Sequence, residues 1–200
     1  RFGSTNEIGV FEMADTGLKE VPNPSETLLS GRPINTPGTC VTCVMEGSRP
    51  ILAEIQALVA QSGYGSARRN SNGIEYNRAM LLLAVLEKRG GMSVSGCDAY
   101  INVVGGLQLD EPAADLATLL AVASSFRDMP ISSDVAAVGE VGLSGEVRSV
   151  QQLNLRLSEI ARLGFRRCII PAHVKGDVLQ PDGLELIRVK NVREAIKAAL

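Results

Sequence analysis

The 200-residue sequence contains no tryptophan, its aromatic residues amount to 4%, and it has one histidine, His173. So few rings make extensive base stacking an unpromising way for it to hold a nucleic-acid strand. Metal donors are scarce as well: beside the histidine stand only Cys40, Cys43, Cys97 and Cys168. Cys40-Val41-Thr42-Cys43 has a zinc-like spacing, but a structural zinc needs four ligands, and side chains three apart in a strand point to opposite faces. The cysteines are expected to be reduced, small, apolar-like core residues in a chain large enough to need no disulfide staples. Long apolar runs are missing. The stretch Met80 to Leu86 falls far short of the roughly 20 residues of a membrane span. Arg1-Phe2-Gly3-Ser4 opens no signal-peptide core, so a cytoplasmic location without a membrane partner is expected. No segment matches the phosphate-binding pattern G-x-x-x-x-G-K-[ST], so ATP binding by this chain alone is not expected.

What is present suits a globular domain. Apolar residues make up 45% and charged residues 21%, enough for one domain of roughly 150 residues with an appendage. A net charge of −2 gives no global attraction for nucleic acid, so any DNA contact has to be local. Arginine supplies 15 of the 20 basic residues, a bias that suits bidentate contacts with phosphates or carboxylates.

Along the chain, residues 1–25 read as two short strands with turn signals, a severed hairpin. Leu28 to Gly38 has the composition of a linker, which puts a domain boundary near Thr36. Cys40 to Met45 and Ile51 to Val59 form a hairpin around Glu46-Gly47-Ser48-Arg49-Pro50. Gln61 to Gly73 is polar and glycine-rich and is expected to be a surface loop carrying Arg68 and Arg69. Helices are predicted over Asn77 to Arg89, from Asp110-Glu111-Pro112 through Phe126, over Gln152 to Leu163, and over Val192 to Leu200. Strands are predicted at Ala99 to Val104, Val135 to Val138, Glu146 to Val150, Arg167 to Ile170 and Leu184 to Val189. The sum is an α+β sandwich with a mixed sheet.

Two sets of residues carry a family resemblance. Arg1-Phe2-Gly3, followed by Thr5-Asn6-Glu7-Ile8-Gly9, is similar to the back half of the Lys-Asn-Arg-Phe-Gly signature of the RadA/Sms family of bacterial DNA-repair ATPases. Asp110-Glu111-Pro112-Ala113-Ala114-Asp115 stands where active Lon proteases have an Asp-Gly-Pro-Ser-Ala-Gly box. Gly139-Glu140-Val141-x-Leu143-x-Gly145-x-Val147 resembles the Lon Gly-Glu hairpin, and Gln152 to Leu157 resembles its lysine-bearing helix. The resemblance implies residues 1–36 as the tail of a RecA-like ATPase domain with its linker. It implies residues 37–200 as a Lon protease-like domain of the ribosomal protein S5 domain 2-like fold. ATP and magnesium would belong to the absent ATPase domain, zinc to an absent N-terminal finger, and no cofactor to this chain. Arg1 would be the remnant of a cation near the nucleotide site.

The same alignment puts Ala113 at the catalytic serine and Arg156 at the catalytic lysine. A Ser/Lys dyad needs an attacking oxygen and an amine that is neutral often enough to take its proton. Alanine has no nucleophile, and a guanidinium stays protonated, so the resemblance implies a proteolytically inactive domain. Ser124, Ser125, Ser144 and Ser149 have no lysine or histidine near them in sequence and read as hydroxyls bonded to backbone, while His173 reads as a turn residue. Asp110, Glu111 and Asp115 read as carboxylates complementing a helix dipole. With chemistry gone, the surface remains. The resemblance implies a homo-oligomeric, hexameric ring that contacts single-stranded or branched DNA and has recombinase-type partners. Arg68, Arg69, Arg78, Arg89 and Arg156 are the candidate phosphate contacts. Against each stands a plainer reading as a solvated or interface-paired side chain. Two other readings of the whole are a scaffold that ignores DNA and an active peptidase, the latter disfavoured by the two lost groups.

Overall fold

The computed structural model describes residues 11–15, 17–63 and 65–200. The signature residues Arg1, Phe2 and Gly3 lie outside them. A first hairpin pairs β1 (Phe11–Ala14) with β2 (Gly17–Glu20), antiparallel, Met13 facing Leu18. It is followed by α1 (Pro24–Leu29), and then by β3 (Thr39–Glu46), β4 (Arg49–Gln61), β5 (Arg69–Asn72), α2 (Tyr76–Lys88) and β6 (Cys97–Val103). A short 3-10 turn, Pro112–Ala114, leads into α3 (Asp115–Arg127). The chain ends with β7 (Val135–Ala137), β8 (Glu140–Val141), β9 (Val147–Arg148), α4 (Leu153–Arg162), β10 (Arg167–Pro171), β11 (Glu185–Val189) and α5 (Val192–Ala199).

Seven strands form one mixed sheet in the order β11-β10-β7-β3-β4-β6-β5. The β3–β4 and β4–β6 pairs are antiparallel, while β7, β10, β11 and the β5–β6 pair run parallel to their neighbours. Period-two alternation gives the sheet two apolar faces. Cys40, Val44, Ile55, Ala137 and Ile169 pack under α2, α3 and α5; Val41, Cys43, Leu52, Ala136, Cys168 and Ile170 pack under α4. Helix α3 is buried from Asp115 through Ser124, because α2, α5 and the sheet all cover it. Cys40 and Cys43 lie in opposite cores, as strand geometry requires, and all four cysteines are free and buried. Burial pushes the Cys40 thiol up to about 12, and those of Cys43 and Cys168 also rise, so these sulfurs are inert packing groups.

Three sequence expectations need correction. The loop expected over Gln61 to Gly73 ends in a strand: Arg69 to Asn72 pair in parallel with Ala99 to Asn102. Its polar residues hide this because β5 is an edge strand, with only Arg69 and Ser71 turned partly inward. The strand expected over Glu146 to Val150 shrinks to Val147–Arg148, paired with Glu140–Val141. Finally, Pro22-Asn23-Pro24-Ser25 is no turn but a helix start. The Asn23 side chain accepts from Glu26 N, and Pro24 occupies the first turn, where its missing N–H costs nothing. Leu28 and Leu29, assigned to a linker, therefore end α1.

Helix α1 has a specific task in the sheet. Strand β6 pairs β4 only from Ile55 onward, leaving the outward amide of Leu52 without a strand partner. Ser25, 1% exposed, supplies one: its Oγ accepts from Leu52 N at 3.0 Å and donates to Glu159 Oε1 at 2.8 Å. Burial alone would raise Glu159, yet hydrogen bonds from Arg162 and Ser25 hold it below the ordinary carboxylate range. Arg167 and Ser132 hold Asp134 down in the same way. We expect Ser25→Ala to cost about 1–3 kcal/mol in urea unfolding, since it strands a buried N–H. Depressed carboxylates stabilise the fold above their unfolded-state values near 4 and lose that contribution as pH falls through the lower folded values. The urea midpoint should therefore drop on the acid side, and drop less in Arg167→Ala, which frees Asp134.

Candidate functional site

Ala113 and Arg156, 43 positions apart in sequence (156 minus 113), line one cleft of about 530 Å³ together with Met45, Glu111, Glu140 and Ser149. Two hydrogen bonds hold the floor: Gly139 N donates to Ala113 O at 3.1 Å, and Leu116 N donates to Gly139 O at 3.1 Å. The Gly139-Glu140 segment is thereby tied to the box 110–115. Arg156 projects from α4 with a side chain only 2% exposed. Its Nη1 donates to Glu111 Oε1 at 2.5 Å and its Nη2 to Glu111 Oε2 at 2.7 Å, the bidentate fork that suits a carboxylate. Nη1 also reaches Cys43 O at 2.7 Å, and Nε reaches Gln151 O at 2.9 Å. Glu111 Oε1 accepts in turn from Met45 N at 2.7 Å.

A second ion pair lies at the other end of the box. Asp115 is 3% exposed, accepts from the Arg78 guanidinium through both oxygens, and accepts from Val141 N at 3.1 Å. Arg78 Nη2 also donates to Val141 O at 3.0 Å, so the pair pins α2 and the start of α3 to β8. Burial pushes the Asp115 carboxyl up despite Arg78, while the Asp115 hydrogen bond raises Arg78.

These contacts revise the candidate list. Arg156 is poorly placed to meet a phosphate, because its side chain is 2% exposed and all three of its nitrogens already donate to protein acceptors. Arg78, with a side chain 33% exposed, is committed to Asp115. Arg69 turns its Nη2 to Val94 O and Ser95 O at 2.8 and 3.2 Å, capping the segment before β6. Arg68 and Arg89 are exposed, with the Arg68 backbone N–H on the Asp98 carboxylate. Glu111 and Asp115, read as dipole carboxylates, are ion-pair partners, Asp115 from within the first turn of α3. The sequence signal was available: both acidic residues stand where the Lon box has glycine, so each brings a new charge that needs a partner.

Two of the candidate serine hydroxyls are bonded to backbone. Ser124 Oγ accepts from Gly38 N and donates to Met129 O, and Ser125 Oγ accepts from Val59 N. Ser149 borders the cleft, but among the described residues no lysine or histidine lines it. Nor do the described residues contain a cluster of three or more side chains that could hold a metal ion. No helix among them is long and apolar enough to cross a membrane.

A mixed α+β sandwich whose Ala113 and Arg156 meet in one cleft, beside a Gly-Glu hairpin, defines the class. The pattern of the Lon protease (S16) C-terminal proteolytic domain matches residues 95–200, and the chain belongs to that family. Over its whole length it is also 52% identical to the DNA repair protein RadA of Bacillus subtilis and 48% identical to that of Listeria monocytogenes, covering 44% of each. The DNA repair protein RadA of Synechocystis is 47% identical over the same 200 residues, which cover 39% of it. The chain thus spans less than half the length of these relatives.

Restoring the two family side chains does not restore a dyad. In Ala113→Ser with Arg156→Lys, Glu111 would stand against the new ammonium and keep it charged, since an opposite charge favours the ionised form. We expect no cleavage of unfolded casein by that double variant. Arg156→Lys alone should lower stability by about 1–3 kcal/mol, because one ammonium keeps the charge pair but cannot reach both Glu111 oxygens and the Cys43 and Gln151 carbonyls at once. Urea unfolding followed by circular dichroism measures it.

Proposed function

We propose that this chain is the non-proteolytic Lon-type part of a DNA-repair ATPase of the RadA kind, where it assembles a ring and contacts DNA during recombinational repair and branch migration. The observation that carries the reading is Arg156 locked by Glu111 beside Ala113: the position of the base is a permanent cation in a buried pair, and the position of the nucleophile is a methyl group. The relatives, each called a DNA repair protein, support the role in repair. In this reading residues 1–36 close an ATPase domain and link it to the Lon-type body over 37–200, with α1 resting against β4. ATP, magnesium and zinc belong to the rest of the protein, which works in the cytoplasm as a hexameric ring with recombinase-type partners. Heterologous contacts close such a ring, and a ring around a strand adds weak contacts into a processive hold.

Of the five arginines singled out, Arg68 and Arg89 remain free to meet phosphates, with Arg78 and Arg69 secondary. The engagement of Arg69, Arg78 and Arg156 within the chain favours a second reading, a ring scaffold that leaves DNA to other domains. Fluorescence anisotropy with single-stranded and branched DNA separates the two. DNA contact predicts affinity that falls with salt at a log-log slope of about −0.7 per phosphate on a single strand. Arg68→Ala with Arg89→Ala should make that slope shallower, whereas Arg156→Met should leave it unchanged. Oligomers that ignore DNA at low salt would establish the scaffold instead.

A further inference from the structure

Strand β3 has a half-open edge. Because Ala57 N donates to Gly38 O in the β3–β4 register, the even-numbered residues of β3 bond β4, and Val41, Cys43 and Met45 turn their backbone groups the other way. On that side β7 meets β3 only at Val41, opposite Ala136. Beyond this point Cys43 C=O and Met45 N–H have no strand beside them, and Met45 lines the cleft. An unpaired edge of this kind is a template for an incoming extended peptide.

The two groups are nevertheless satisfied, and by side chains in the arrangement a strand would use. Arg156 Nη1 donates to Cys43 O as a peptide N–H would, and Glu111 Oε1 accepts from Met45 N as a peptide C=O would. The two side chains are fastened to each other by both carboxylate oxygens. We propose that the Glu111–Arg156 pair is an internal surrogate strand that closes the β3 edge against extended polypeptide. The cleft of about 530 Å³ in front of it is what the excluded peptide would have entered. The loss of proteolysis is then built in twice: the reacting groups are gone, and the docking edge is occupied. This closure is independent of whether the domain binds DNA.

The test replaces both charges at once, so that neither is left buried alone: Glu111→Leu with Arg156→Met in the full chain. The probe is a fluorescein-labelled octapeptide of alternating threonine and valine, read by anisotropy, with a version N-methylated at alternate amides as control. The wild-type chain should not bind it; the folded double variant should bind at least about tenfold more tightly than wild type, and N-methylation should abolish the gain. Equal binding by wild type, or a folded double variant that ignores the peptide, overturns the proposal. Should the double variant fail to fold, Glu111→Ala opens the Met45 amide alone. That amide, bonded to Glu111 in the wild type, should exchange about a hundredfold faster in the variant than in the wild type and slow again with millimolar peptide, which must replace the lost acceptor. No acceleration, or no recovery with peptide, overturns it equally.

Discussion

One guanidinium fastens three parts of the molecule that the sequence keeps far apart. Arg156 leaves α4, passes under the segment before the 3-10 turn, and ends on the edge of β3, so its bonds to Glu111, Cys43 and Gln151 fix the helix, the box and the strand together. A charge so deeply buried persists only if its hydrogen-bonding capacity is met, and here it is met by a carboxylate and two carbonyls. A lysine has three donors on a point and could not span these acceptors at once. The arginine is thus more than a lost base. It fits a structure that the glutamate at position 111 has already changed.

The Arg78–Asp115 pair repeats the logic one turn away. Asp115 takes the place of a glycine at the start of α3, where its carboxylate gathers Arg78 from α2 and the amide of Val141 from β8. Burial works against the ionised form, and those two donors reduce that effect without cancelling it. Ser25 does for β4 what Glu111 and Arg156 do for β3, supplying a bond where a strand partner stops. In both places, therefore, a strand edge that its neighbour leaves unfinished is completed by polar side chains from outside the sheet. This follows from the requirement that buried backbone groups be bonded, combined with a central strand, β7, of only three residues.

Most of the fold could be read from periodicity because its cores are made of alternating strands and one-sided helices. Val41, Cys43 and Cys40, Val44 announce two faces, and Leu153, Leu157 and Ile160 announce one helix stripe. The signal failed where burial does not set the pattern. Edge strand β5 is held by backbone bonds to β6 and needs no apolar side chains, so Arg69-Asn70-Ser71-Asn72 looked like loop. Helix α1 was masked by two prolines, although Asn23 and Glu26 carry the cap. At the site, family spacing brought Ala113 and Arg156 together correctly, but counting arginines as phosphate contacts ignored the carboxylates that had arrived beside them. A cation's availability depends on its neighbours in space, which spacing in sequence does not reveal.

That dependence also bears on how such a domain could lose its chemistry. An alanine at position 113 by itself would be reversible, since one hydroxyl would repair the nucleophile. Glutamate at 111 and arginine at 156 stabilise each other, so reverting Glu111 to glycine alone leaves the buried guanidinium unpaired at a cost of about 3–5 kcal/mol, a large share of a domain's stability of about 5–15 kcal/mol. The intermediate with lysine at 156 and glutamate at 111 would hold a protonated amine and gain no base. A return to catalysis would therefore require three changes, of which the middle steps are destabilised and inactive. The pair makes the inactive state the one the fold itself maintains, independent of any demand placed on the surface.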